Sequence, residues 1–321
     1  MRSEDEVLAI LLADIHLSLK PPLWRSAEED WLEVQAKVLC EVDWLQEKYG
    51  CPVICAGDIF DRSRKIADGW NASAELINFA IKYLPDNMYA IPGQHDLPNH
   101  QYIDIDRSAY WTLVKAGKIK NIPPIPQEHY DITIIDKRLA LFGFPPGYEI
   151  LPNEVNNESC ILDIAVIHDY VWIPGHSYPD APKEKRLGQT SFDKKWLGYD
   201  VLVYGDNHKG FTHKIGTSTV FNCGTLMRRK SDEIDYRPQV GLLLADGSVV
   251  PHYLDISQDK YLDTVDLAEK ERSNLDMTEF FNELEKLGKT ALDFKEAMKE
   301  YFAGGKTSSE AKQIILEAME K

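Results

Sequence analysis

Residues 7–16 read Val7-Leu8-Ala9-Ile10-Leu11-Leu12-Ala13-Asp14-Ile15-His16, an unbroken apolar run that ends in two side chains able to bind a divalent cation. A short continuous run bounded by polar residues marks a buried strand, and a loop at its end can present both side chains to one ion. Taken alone, an Asp-x-His pair is common and weak. Its weight comes from recurrence.

Residues 27–49 place Trp31, Val34, Val38, Val42 and Leu45 at steps of three and four, which predicts a helix. Residues 52–56 read as the next strand, and it ends in Gly57-Asp58-Ile59-Phe60-Asp61-Arg62, where Gly57 lets the backbone turn. Helical spacing returns over 74–84. A third strand, 88–91, then runs into Pro92-Gly93-Gln94-His95-Asp96, offering an amide oxygen, an imidazole and a carboxylate that could fix the imidazole's tautomer. A short helix is expected over 108–116.

Beyond about residue 130 the pattern changes to strands with few helices between them: 132–135, 139–144, 164–167, 201–204, 219–222, 240–244 and 249–253. Two of these also end in metal-type residues, Ala165-Val166-Ile167-His168 and Val201-Leu202-Val203-Tyr204-Gly205-Asp206-Asn207-His208. Any one histidine at a strand end is ordinarily a satisfied polar group, but the same placement five times in order is not chance. Two stacked sheets with flanking helices fit this α/β order better than one open parallel sheet.

At 321 residues and 44% hydrophobic content, the chain can build one large core with a smaller appendage. We expect a catalytic domain over 1–258 and a helical extension over 259–321. In the latter, Phe280, Leu284 and Leu287, then Leu292, Ala297, Met298 and Phe302, are spaced as helices; Gly304-Gly305 breaks them, and Thr307 with Glu310 offers a capping box. The apolar run at the amino end is too short for a signal sequence or a membrane span, which gives an expectation of a cytoplasmic protein. The five cysteines are sparse and lack Cys-x-x-Cys spacing, so they read as reduced and packed.

A net charge of −16 argues against a protein that grips nucleic acid over a wide surface. It does not exclude a nuclease, because carboxylates that hold ions inflate the negative count. Lys183, Lys185, Arg186, Lys194, Lys195 and Arg228-Arg229-Lys230 could still line a groove.

The order Asp-x-His, Gly-Asp-x-x-Asp, Gly-Asn-His-Asp/Glu, an isolated His and Gly-His-x-His is the signature of calcineurin-like metallophosphoesterases, and the chain resembles it across residues 8–210. The resemblance implies a four-layer αββα sandwich with a small helical carboxy-terminal extension and two bound divalent ions. By position, Asp14, His16, Asp58 and His208 would hold one ion, with Asp58 bridging to a second held by Gln94, His168 and Asp206. Two positions depart from the pattern: Gln94 replaces the usual Asn, and Asp206 replaces the first His of Gly-His-x-His. Both bear on the second ion, and an anionic oxygen in place of an imidazole favours Mn²⁺ or Mg²⁺ over Zn²⁺, with iron also compatible. A loosened second site is the competing interpretation.

Within the family, Gly57-Asp58-Ile59-Phe60-Asp61 and the string Pro92 to His100 look most like SbcD-type DNA repair nucleases of a phage- and prophage-associated branch. That resemblance implies Mn-dependent cleavage of DNA and an SbcC-type ATPase as partner, with the carboxy-terminal helices as one docking element; a homodimer is also compatible. The expected reaction is in-line attack on a phosphodiester by a metal-bridging hydroxide, with His95, oriented by Asp96, protonating the leaving oxygen. Arg62, Arg228 and Arg229 are candidate phosphate or strand contacts, and His100 and His213 candidate supporting groups. Two rivals stand beside this reading: a phosphatase or cyclic-nucleotide phosphodiesterase on the same fold, and a non-catalytic interaction module.

Overall fold

The computed structural model describes residues 6–61, 65–66, 69–70, 72–125, 131–153, 160–178, 180–188 and 198–262. Arg62, Lys194, Lys195 and the helices expected after residue 262 lie outside these residues. The chain divides into two compact units, Met1–Lys260 and Tyr261–Lys321, and the strands and helices named here belong to the first.

The chain order is β1 (Val7–Leu12), α1 (Trp31–Tyr49), β2 (Val53–Cys55), β3 (Lys65–Ile66), β4 (Gly69–Trp70), α2 (Ala74–Tyr83), β5 (Met88–Ala90), α3 (Ala109–Lys115) and β6 (Ile119–Asn121). Then come β7 (Thr133–Ile135), β8 (Leu139–Phe144), β9 (Leu162–His168), β10 (Val201–Gly205), β11 (Phe211–Ile215), β12 (Ser218–Asn222), β13 (Gln239–Leu244) and β14 (Val249–Tyr253). One six-stranded sheet runs β14-β13-β1-β2-β5-β6 and a second runs β11-β12-β10-β9-β8-β7; β3 and β4 form a separate hairpin. Each large sheet has four parallel strands at its heart, β1-β2-β5-β6 and β12-β10-β9-β8, with antiparallel strands beside them.

Burial explains why the runs are continuous rather than alternating. Leu8, Leu11, Ile54 and Leu243 of the first sheet pack against Leu141, Ile164, Val166, Val203 and Phe221 of the second, so the inner faces form one apolar layer. Ile10, Leu12, Val53 and Cys55 point the other way, onto Leu39, Val42 and Leu45 of α1, Leu76 and Ala80 of α2 and Leu113 of α3. The outer face of the second sheet, with Ala140, Phe142, Ile167, Leu202 and Tyr204, is covered among the described residues by Ile150, Val171, Leu187 and Tyr199. The result is the expected pair of mixed sheets with flanking helices.

The first helix starts later than its spacing predicts, at Trp31, because Asp30 caps it by accepting from the Glu33 N–H at 3.0 Å, and it stops at Gly50, whose φ is +62°. Its buried stripe is Trp31, Gln35, Leu39, Val42 and Leu45, so a glutamine occupies an inward position. β6 and β11 were not legible as strands. Both alternate buried and exposed residues over three to five positions, too short a stretch for the period to declare itself.

Register sets where the strands end. Leu12 pairs with Cys55, Cys55 with Ala90, and in the second sheet His168 pairs with Gly205. The parallel strands therefore end level with one another, and the residues just past their carboxyl ends gather along one edge of the sandwich.

Candidate metal centre

Past the end of β1 and β2 the two loops keep running together. Asp14 N–H donates to Gly57 O at 3.0 Å, His16 N–H to Asp58 O at 3.0 Å, and Leu17 N–H to Ile59 O at 2.8 Å. To do so, Asp14, His16 and Asp58 adopt φ values of +50°, +52° and +54°, a left-handed conformation that side chains other than glycine rarely take. The strain turns three polar side chains inward. Gln35 anchors the same loop from α1: its Nε2 donates to Ser18 O and its Oε1 accepts from Ser18 N–H, both at 2.9 Å.

Gly57 and Gly93 leave room for this packing. A Cβ at Gly57 would meet His168 Nδ1 at 2.5 Å, and one at Gly93 would land on the Asp58 carboxylate. Asp96 lies just beyond, in a 3₁₀ turn over Gln94–Asp96, and its carboxylate accepts from Gly93 N–H at 2.9 Å, Phe60 N–H at 2.9 Å and Ile59 N–H at 3.2 Å. Asp96 is thus a buried brace between the second and third loops. The expectation that it orients His95 is corrected: both of its oxygens are turned away onto backbone donors.

The loops converge on a cluster of nitrogen and oxygen atoms. His16 Nε2 lies 3.1 Å from His208 Nε2, 3.8 Å from Asp14 Oδ1 and 3.9 Å from Asp58 Oδ2. His168 Nε2 lies 3.4 Å from Asp58 Oδ2, and His95 Nε2 3.8 Å from the same oxygen. Three overlapping ligand groups result: Asp14, His16 and His208; His16, Asp58 and His95; Asp14, Asp58 and His168. Asp206, with φ +83°, donates its N–H to both Asp14 oxygens at 3.0 and 3.2 Å and accepts from Gln94 Nε2 at 2.8 Å. The two positions that depart from the family pattern therefore touch: the longer amide reaches the carboxylate that replaced the imidazole.

Every sequence-predicted ligand, Asp14, His16, Asp58, Gln94, His168, Asp206 and His208, reaches this one edge. Asp14, His16, Asp58 and His168 are buried, while the side chains of His95 and His208 keep 24% and 21% of their surface open. The cluster is therefore approachable from the side of those two rings.

The chemistry of the donor set fits divalent cations. His168 Nδ1 faces Ala56 O at 2.7 Å, a pure acceptor, so Nδ1 carries a proton and Nε2 is turned into the cluster, buried and without a hydrogen-bond partner. His208 Nδ1 likewise faces a carboxylate, Glu233 Oε1, at 2.9 Å, which leaves its Nε2 to face that of His16. The buried carboxylates and imidazoles hold protons to different degrees. Burial pushes the Asp14 carboxyl up to about 7 against the pull of the His208 and His168 rings. Burial opposes charge on His168, yet the Asp58 carboxylate beside it holds the ring's pKa well above the ordinary range. Burial, helped by Arg229, holds His16 neutral, the form that binds metal.

Arg228 and Arg229, expected to contact substrate, are both buried and employed within the fold. Arg229 donates from Nη1 to His16 O at 2.8 Å and pairs from Nη2 with Asp61 Oδ1 at 2.7 Å; Arg228 donates to Ile234 O at 2.8 Å and pairs with Asp259. Their roles are corrected to bracing, because both side chains are buried and their guanidiniums are turned onto carbonyls and carboxylates of the fold. His100 stands near the opening, its ring 6.2 Å from that of His95 and its Nδ1 2.8 Å from Gln94 O, whereas His213 lies within the edge strand β11, paired with Val220.

Sequence reasoning missed Glu233, Gln35 and Asn207. Asn207 is buried between two ligand-type residues and donates to Val171 O at 2.7 Å and His176 O at 2.8 Å. Its place between Asp206 and His208 was the available signal. Glu233 carried none, since it lies in a charged run, three residues after Lys230, without the spacing of a metal motif.

A buried Asp/His cluster at the shared carboxyl edge of two stacked mixed sheets is the ligand set of a metal-dependent phosphoesterase. The family model for calcineurin-like phosphoesterases matches residues 9–210, and the chain belongs to that family; it is a metallophosphoesterase, a hydrolase. No curated protein matches the chain in sequence. Among solved structures, it is similar to a putative 5′-nucleotidase from Staphylococcus aureus (12% identity, TM-score 0.46, 82% of this chain and 57% of that one). It therefore spans little more than half of that protein. It is also similar to the calcineurin-like phosphoesterase YfkN from Bacillus subtilis (12% identity, TM-score 0.43, 80% and 87%) and to an archaeal phosphodiesterase (15% identity, TM-score 0.35, 79% and 96%). No helix among the described residues is long and apolar enough to cross a membrane.

Proposed function

We propose that the chain is a Mn-dependent phosphodiesterase with a dinuclear centre and, more narrowly, a DNA nuclease of the SbcD type. The observation that supports the dinuclear reading is that Asp58 Oδ2 lies near the Nε2 atoms of both His16, at 3.9 Å, and His168, at 3.4 Å, with that of His95 at 3.8 Å. On this reading Asp14, His16 and His208 hold one ion and Gln94, His168 and Asp206 the other, with Asp58 shared. Divalent ions held by these residues would supply Lewis-acid neutralisation of the phosphoryl oxygens and would make a bound water more acidic. The Gln94–Asp206 pair makes the second half oxygen-rich, which favours Mn²⁺ or Mg²⁺.

On this reading His95 protonates the leaving oxygen. Its backbone N–H donates to Asp58 Oδ1 at 2.8 Å, so its position is tied to the shared ligand, while its ring stands at the open side. The nuclease reading is supported by the Gly57 to Asp61 and Pro92 to His100 strings; an SbcC-type ATPase and a second copy of the chain are the partners it proposes. The test is a panel of single-stranded DNA, a chromogenic phosphomonoester and a cyclic nucleotide, each incubated with Mn²⁺. DNA cleavage is expected, and rapid monoester or cyclic-nucleotide turnover with intact DNA would move the assignment to a phosphatase or nucleotide phosphodiesterase. Absence of turnover and of bound metal would leave only an interaction module.

A further inference from the structure

The segment after β9 departs from His168 and returns against the loop that carries Asp206 and His208, and it bears an aromatic pair. The Tyr170 and Tyr178 rings lie 4.8 Å apart, tilted by 52°, and the Tyr170 hydroxyl oxygen accepts the Tyr178 N–H at 3.3 Å. Tyr178 is 44% exposed, so part of its ring is open to a ligand.

The pair is held in place by the metal loop itself. The buried Asn207 amide donates to Val171 O and His176 O, the His176 ring meets Gly210 O at 3.0 Å and packs edge-on against Phe211, and Lys209 Nζ reaches Ser177 O at 3.3 Å. Only Asp169 separates Tyr170 from His168, so their Cα atoms are at most about 7 Å apart. A rigid aromatic surface and a lysine ammonium thus stand beside the phosphoryl-binding edge. An aromatic face on a segment joined to a metal-binding edge suits the base and the phosphate of one nucleotide.

We propose that Tyr178, backed by Tyr170, is a stacking platform for the nucleobase next to the reacting phosphate. This deepens the nucleic-acid reading above and rests on it. The pre-formed ring pair explains how a protein of net charge −16 can hold a nucleotide strand without a broad basic surface: affinity comes from stacking at one point and from the ions, rather than from many phosphate contacts.

The test is calorimetric binding, to the full chain with Mn²⁺, of thymidine 5′-phosphate and of deoxyribose 5-phosphate, which lacks the base. Stacking of one base gives a preference of roughly 5- to 150-fold for the nucleotide. Tyr178→Ala should erase that preference without changing affinity for the sugar phosphate or the metal content, and Tyr178→Phe should keep it. Equal binding of the two ligands by the unaltered protein, or a preference that survives in Tyr178→Ala, would overturn the platform. Because this readout is binding, it is separate from the DNA-cleavage panel: a base preference without strand cleavage would refute the nuclease assignment and leave the platform standing.

Discussion

Replacing Glu233 by Gln alters one atom of a buried network and tests how His208 is prepared for a metal. Glu233 Oε1 faces His208 Nδ1 at 2.9 Å, while Oε2 accepts from Arg229 N–H at 2.5 Å and Lys230 N–H at 3.0 Å. A carboxylate accepts at both oxygens; an amide accepts at one and donates at the other. In Glu233→Gln the single oxygen stays with the two backbone donors, two bonds against one. The amide NH₂ then faces His208 Nδ1, which must accept, and the ring's proton moves to Nε2. That nitrogen can no longer ligate. Restoring the ligating tautomer costs one buried hydrogen bond, about 1–3 kcal/mol, or roughly 5- to 150-fold in metal affinity, which brackets the roughly 10- to 100-fold typical when a ligand's supporting group is removed. The assay is calorimetric titration of metal-stripped protein with Mn²⁺, alongside a thermal melt to confirm folding. An unchanged affinity in the folded variant would refute the reasoning.

His95→Asn should cut turnover by about 10²–10⁴-fold while leaving metal content intact; metal analysis showing a lost ion would make His95 a ligand instead. Gly93→Ala should yield protein with little bound Mn²⁺ and a lowered melting temperature, since the new methyl displaces the Asp58 carboxylate; normal metal content would contradict the packing described. Metal binding should depend on pH through Asp14, whose pKa of about 7 in the metal-free fold lies above its ordinary 3.8. The folded state therefore holds an extra proton between those values. This group's contribution to metal-free stability is complete below 3.8 and is lost as pH rises through about 7. A cation must displace that proton and the one on the His168 ring, so apparent Mn²⁺ affinity should rise from pH 6 to 8, with more than one proton released per centre at pH 6. Calorimetry in buffers of different ionisation enthalpy measures the release, and pH-independent affinity would rule the mechanism out.

The strand ends were legible because ligand and strand are neighbours in sequence: Asp14 follows β1 directly, and His168 closes β9. Local adjacency misled at two places. Asp96 follows His95 in sequence, yet the 3₁₀ turn points its carboxylate backward onto the Gly93, Ile59 and Phe60 N–H groups. Arg228 and Arg229 sit in a charged run that reads as exposed, but the chain folds that run under the first loop, where Arg229 meets His16 O.

Sequence alone determined the α/β layering, the family and the ligand types at each strand end, because apolar periodicity and motif order are local properties. Tertiary structure decided which groups hold the ligands. Glu233 on His208, Gln35 on the Ser18 backbone and Asn207 on the Tyr-bearing segment are contacts between distant parts of the chain, set by sheet register and burial. The joining of Gln94 to Asp206 across 112 positions belongs with them. Each departure from the family pattern looked like a separate loss in the sequence; the fold places them within one hydrogen bond, as parts of a single altered half-site.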